Sequence, residues 1–108
     1  MNDVPAIDIQ RRHWAMVRDI LRRHVPDHEI WAFGSRVTGR ARPFSDLDLA
    51  VITREPLAWD VLARLANDFS DSDLPWRVDI LDWATTGLEF RRIIERDKVV
   101  VQKPAASP

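Results

Sequence analysis

A chain of 108 residues has room for one compact domain and not for two. An apolar fraction of 45%, a charged fraction of 31% and a net charge of −1 exclude an intrinsically disordered chain, and also a protein that tracks a nucleic-acid backbone through bulk positive charge. The absence of cysteine excludes disulfides, thiolate catalysis and zinc sites of the Cys type.

The segment Met1 to Ile9 lacks a basic region followed by an apolar one, and no apolar stretch is long enough to span a bilayer. A cytoplasmic protein is expected. Residues 7–24 read as a helix, because Trp14, Val17, Ile20, Leu21 and Val25 recur at three- and four-residue spacing. Arg11, Arg18 and Arg22 fall on another face, expected to be solvated. Pro26 ends this helix.

Residues 29–33 (EIWAF) form a short apolar run bounded by turn signals, as a buried strand does. From Gly34 to Ser45 the chain is a polar, Arg-rich loop or short helix. Leu47 to Ile52 is a second strand. The period of two sets Leu47, Leu49 and Val51 on one face and Asp46, Asp48 and Ala50 on the other. Pro56 suits the first turn of a helix reaching about Ser70, with Val61, Leu62, Leu65, Ala66 and Phe69 inward.

Residues 70–75 are a turn, and Trp76 to Leu81 a third strand with Trp76, Val78 and Ile80 on its core face. Thr86 and Glu89 have the spacing of a capping box for a last helix, about Gly87 to Arg96, whose core side would be Phe90, Ile93 and Ile94. Val99 to Val101 adds a short edge strand. The fold class expected is α/β (α+β): a small mixed sheet of three to four strands flanked by helices. Residues 1–103 would form the domain and residues 104–108 a flexible tail.

Two features between Phe33 and Val51 carry chemistry. Gly34 and Ser35 follow a buried strand directly. Glycine lets backbone approach a ligand closely, and a helix starting near Ser35 would aim its free N–H groups at an anion such as a phosphate. The Ser35 hydroxyl adds a donor, and Arg36 a charge. Asp46 and Asp48 then project from one side of a strand whose leucines anchor it. Two carboxylates about 4 Å apart repel by roughly 4 kcal/mol at an effective dielectric of 20. A divalent cation turns that repulsion into coordination, and carboxylate beside phosphate oxygen is what Mg²⁺ prefers. Asp79, off the core face of the third strand, would complete a set of three, enough for two metal ions about 4 Å apart. Asp82 competes with Asp79 for this place but lies nearer the strand end, so Asp79 is preferred.

Gly-Ser, a glycine four residues past the serine, Ser-Asp-x-Asp-Leu heading a strand, and a carboxylate on a later strand together resemble the polymerase-beta-like nucleotidyltransferase superfamily. In length and element order the chain is similar to its smallest members, the minimal nucleotidyltransferase (MNT) proteins, over Trp14 to Val101. The resemblance implies that Gly34 and Ser35 hold the β- and γ-phosphates of a nucleoside triphosphate, expected to be ATP. It implies that Asp46 and Asp48 bind two Mg²⁺ ions (or Mn²⁺), and that Asp79 completes the second and helps to deprotonate an acceptor hydroxyl. Arg36, Gly39 and Ser45 would support the phosphate loop. A nucleoside monophosphate would be transferred and pyrophosphate released.

Larger relatives hold the acceptor with extra domains, and this length is used up by the core, so the acceptor would sit on another chain. The resemblance implies a HEPN-type toxin as partner, adenylylated on a tyrosine, with this chain the antitoxin. With no Tyr of its own, the chain has no tyrosine to modify in itself. A homo-oligomer stays open, and neither direct nucleic-acid binding nor a membrane role is expected. Two other readings stay open: a binding module that neutralises a partner by contact, and a transferase acting on a small hydroxyl compound. Trp31 and Trp76 are expected in the core, and His13, His24 and His28 at the surface.

Overall fold

The computed structural model describes residues 4–105. In chain order the elements are α1 (Arg11–His24), β1 (Glu29–Phe33), α2 (Ser35–Thr38), β2 (Leu47–Ile52), α3 (Trp59–Ser70), β3 (Val78–Asp82), a single 3-10 turn (Trp83–Thr85), α4 (Leu88–Asp97) and β4 (Val99–Gln102). The strands form one mixed sheet in the order β3-β2-β1-β4. β1 runs antiparallel to both β2 and β4, while β2 and β3 are parallel, joined by α3 as a crossover.

One face of the sheet is the core. Ile30, Ala32, Leu47, Leu49 and Val51 are fully buried there beneath Trp14, Val17 and Leu21 of α1 and Leu65 and Phe69 of α3. Strand alternation then forces Asp48 and Ala50, Trp31 and Phe33, and Asp79 and Leu81 onto the opposite face. That second face carries the candidate carboxylates Asp48 and Asp79, and among the described residues the 3-10 turn and α4 lie against it. Trp31 is buried there, edge-on to Trp83 at 5.0 Å and under the Lys98 ammonium at 3.7 Å. Trp76 is buried as expected.

Several boundaries differ from the sequence expectation, each for a tertiary reason. α1 begins at Arg11 rather than Ile7. Asp8 is tied to α2, its N–H donating to the Arg36 carbonyl at 2.8 Å, so the chain before Gln10 is held in another conformation. α3 begins at Trp59 rather than Pro56, because the Leu57 N–H donates to the Asp82 carboxylate at 2.7 Å. Ala66, expected inward on α3, is exposed. The capping box does not form: the Thr86 hydroxyl donates to the Asp82 carbonyl at 2.8 Å, and Gly87 caps α4 without a side-chain bond.

The core side expected for the last helix is also corrected. Only Ile94 is buried, whereas Phe90 and Ile93 are 43% and 46% exposed. α4 rests on the rim of the second face, where one side-chain row suffices to seat it. His13, expected at the surface, is buried edge-on against Trp76 at 5.7 Å, and burial first, then Arg12 and Arg36, pushes its pKa below the usual value. Arg11 and Arg22 are exposed as expected, and Arg18 is paired with Asp19 at 3.4 Å. The Ala105 N–H donates to the Pro26 carbonyl at 2.8 Å, which ties down the start of the expected tail; residues 106–108 lie outside the described residues. No helix among the described residues is long and apolar enough to cross a membrane.

Candidate active site

The parallel register of β2 and β3 pairs Asp48 with Asp79, and strand alternation carries Asp46 to the same side as Asp48. Neighbouring strands lie about 4.8 Å apart, so Asp48 and Asp79 are lateral neighbours. Their charges reach one another. The Asp48 carboxyl is raised from the usual range to about 6, by burial first, then by Asp79, then by Asp46. Sequence alone could not supply this register, because it needed β2 and β3 to be adjacent and parallel.

Asp82, the competing carboxylate, is placed elsewhere. It is buried and saturated: it accepts from the Thr53 hydroxyl, from the Leu57 N–H at 2.7 Å and from the Ala84 N–H at 3.2 Å. That clamp joins the ends of β2 and β3 to the loop before α3, and strand alternation sets Asp82 on the side of β3 opposite Asp79.

Gly34 adopts φ 81° and ψ −158°, a conformation that is nearly glycine-only. A β-carbon there would run into the Asp48 carboxylate. The backbone therefore lies directly against the acid. α2 starts at once, and its Val37 and Thr38 N–H groups bond the Gly34 carbonyl at 3.0 and 3.1 Å. The earlier N–H groups, of Ser35 and Arg36, are those that a helix start leaves for a ligand. Gly39 closes α2 in the left-handed conformation, φ 81° and ψ 16°.

Arg36 is turned inward. Its Nε and Nη2 bond the Ser45 carbonyl at 3.0 and 2.7 Å, Nη1 the Asp8 carbonyl at 2.8 Å, and Nη2 also the Pro43 carbonyl at 3.2 Å. Its guanidinium lies 4.5 Å over the Trp76 ring. The residue supports the loop before Asp46 from within and does not offer its charge to a phosphate. Ser45 acts in the same loop, its hydroxyl accepting the Arg42 N–H at 2.8 Å. Replacing Arg36 by Met should leave the Asp8, Pro43 and Ser45 carbonyls unpartnered and lower stability by about 3 kcal/mol. Denaturant unfolding measures this; a phosphate-binding Arg36 would instead leave the midpoint in place and weaken only ATP.

The expectation from sequence missed Arg77. It precedes β3 directly, its carbonyl accepts the Leu47 N–H at 2.9 Å, and its Nη2 donates to Asp79 Oδ1 at 3.1 Å. The R-x-D spacing at the start of the third strand was its available signal. Among the described residues, no three acidic or imidazole side chains already surround a common point, and Asp79 is turned to Arg77. The donor set nonetheless fits a divalent cation. It is all oxygen, half-buried, and strained by like charge at Asp48, which a cation relieves.

Residues 16–105 match the family described as Polymerase beta, Nucleotidyltransferase. The chain is 52% identical over 103 residues to "Probable protein adenylyltransferase MntA" of Haemophilus influenzae, covering 95% of this chain and 90% of that protein. It is similar in fold to a toxin-antitoxin crystallised with AMP-PNP, at 23% identity and TM-score 0.70, covering 83% of this chain and 73% of that one. It is also similar to a complex of tri-AMPylated Shewanella oneidensis HEPN toxin with MNT antitoxin, at 22% identity and TM-score 0.57, covering 88% and 73%.

Proposed function

This chain belongs to the polymerase beta nucleotidyltransferase family, and on that premise we propose that it moves AMP from ATP onto a tyrosine hydroxyl of a HEPN-type toxin and thereby acts as its antitoxin. The observation that supports the reading most is Asp48, which pairs with Asp79 in the β2–β3 register and lies against the Gly34 backbone, with Asp46 two residues before it. The 52% identical relative is a protein adenylyltransferase by name, which supports a protein acceptor. The toxin complexes of the same fold support the kind of partner.

In this reading the N–H groups at the start of α2 and the Ser35 hydroxyl hold the β- and γ-phosphates. Asp46 and Asp48, with Asp79, would hold Mg²⁺ or Mn²⁺, which when bound supplies charge neutralisation at the triphosphate and a lowered pKa at the acceptor oxygen. The acceptor oxygen attacks the α-phosphorus, its proton passes to Asp79, and the bond from the α-phosphorus to the bridging oxygen breaks. Pyrophosphate leaves with that electron pair. Arg77 holds Asp79 in place beforehand and is the cation nearest the carboxylates in the described contacts. The protein's contribution is position and fixed charge.

The test uses the toxin with the wild-type chain and with Asp46→Ala/Asp48→Ala. Neutralisation of the toxin should require the two carboxylates, and the toxin should gain the mass of AMP only with the wild type. A double variant that neutralises as well as the wild type would leave contact alone as the mechanism.

A further inference from the structure

Among the exposed apolar side chains of the described residues, Phe90 packs against Phe33, the ladder partner of Asp48. Phe90 keeps 43% of its surface open although its helix is anchored by other residues. Ile94 is fully buried, and Arg91 donates through Nη2 to the Trp83 carbonyl at 2.6 Å and lies 5.0 Å over the Trp83 ring. The Phe90 ring meets Phe33 edge-on, with centroids 5.7 Å apart at 84°. Phe33 is in turn the ladder partner of Asp48 and the residue before Gly34. The row across the open face therefore reads Asp79, Asp48, Phe33, with Phe90 standing at its end.

Phe33 thus joins a polar turn, Gly34–Ser35, which follows it in the chain, to an apolar ring, Phe90, which meets it edge-on. An edge-on ring pair leaves ring surface free for a third ring, and aromatic pairs gain from geometry beyond their buried area.

We propose that Phe90 is a specificity-determining residue of the transfer, the wall against which a flat aromatic ring of the substrate lies while its reacting atoms stand over the carboxylates. The inference rests on the nucleotidyl-transfer reading above. Two rings answer the description, the purine of the donor and the phenol of the acceptor, and both ask the same chemistry of Phe90.

The experiment compares wild type, Phe90→Leu, which is apolar without a flat ring, and Phe90→Trp, which keeps one. Melting shifts are titrated with Mg·ATP and with Mg·tripolyphosphate, which has no ring, and labelled AMP transfer is followed against toxin concentration. Phe90→Leu should weaken Mg·ATP, or raise the KM for the toxin, about tenfold. Its response to tripolyphosphate should match wild type, and Phe90→Trp should stay near wild type throughout. Weakened Mg·ATP assigns the purine, and a raised toxin KM assigns the phenol. The proposal is overturned if Phe90→Leu equals wild type in both arms, if tripolyphosphate binding falls with it, or if Phe90→Trp fails as Phe90→Leu does. A wild-type chain that shows neither shift nor transfer ends the functional reading instead, a failure seen without any variant.

Discussion

Asp48→Asn should abolish nucleotidyl transfer while making the ligand-free protein more stable. The two effects have one cause. Asp48 is half-buried, and its carboxyl is raised to about 6 by burial first, then by the charges of Asp79 and Asp46. At pH 7 the folded protein therefore holds a carboxylate that would rather be neutral, whereas the unfolded chain holds it at its ordinary value. Removing the charge relieves this. A shift of two units is worth about 2.7 kcal/mol at full strength, and solvent screening of a half-exposed group reduces it to roughly 1 kcal/mol.

The sign with pH follows directly. Below the folded value of about 6 the native state takes up a proton that the unfolded state does not, so this group adds stability as pH falls from 7 toward 4. Asp68 and Asp97 are held low by ion pairs and act in the opposite sense at lower pH. The difference between wild type and Asp48→Asn isolates the one group. Melting curves at pH 7 and pH 5 should show the variant ahead at pH 7 and the gap closing at pH 5. Transfer should fall by about 10³-fold or more, as when a transition-state charge partner is lost. A variant that melts lower at pH 7, or keeps its activity, contradicts the assignment.

Gly34→Ala should be the second large effect, through two separate faults. The backbone at φ 81° and ψ −158° is strained for any residue with a side chain, and the new methyl would collide with the Asp48 carboxylate. Strain and displacement together should cost about 2–4 kcal/mol of stability. Moving Asp48 by even about 1 Å should slow transfer around 10²-fold. Gly39→Ala is the control. It shares φ 81°, but a β-carbon there meets nothing within 4 Å. It should cost about 1 kcal/mol and leave the rate unchanged. Denaturant midpoints with single-turnover rates check both, and equal losses at the two glycines would show that the approach to Asp48 is immaterial.

The strands of the site were readable because their physics is local. EIWAF and LDLAVI carry their bounds in composition and in alternation, and alternation alone put Asp46 and Asp48 on the side away from the core. The companionship of Asp79 was readable only as a conditional, since it needed β2 and β3 to be parallel neighbours in register. What stayed hidden depends on contacts between distant segments. Asp82 and Asp79 differ little in sequence, and only the donors gathered from Thr53, Leu57 and Ala84 show that Asp82 is structural. Arg36 follows a Gly-Ser turn as a phosphate ligand would, yet carbonyls of Asp8, Pro43 and Ser45 draw it inward. The apolar periodicity of α4 suggested a broad core face, but the sheet rim offers a seat to Ile94 alone.

The most direct test places radiolabel in ATP at the α-phosphate or at the γ-phosphate and follows it with Mg²⁺ and the toxin present. Attack at the α-phosphorus carries the α-label onto the toxin and releases the γ-label in pyrophosphate, and Asp46→Ala/Asp48→Ala should leave the toxin unlabelled in both cases. Label arriving from the γ-position, or α-label transferred equally by the double variant, would contradict the account.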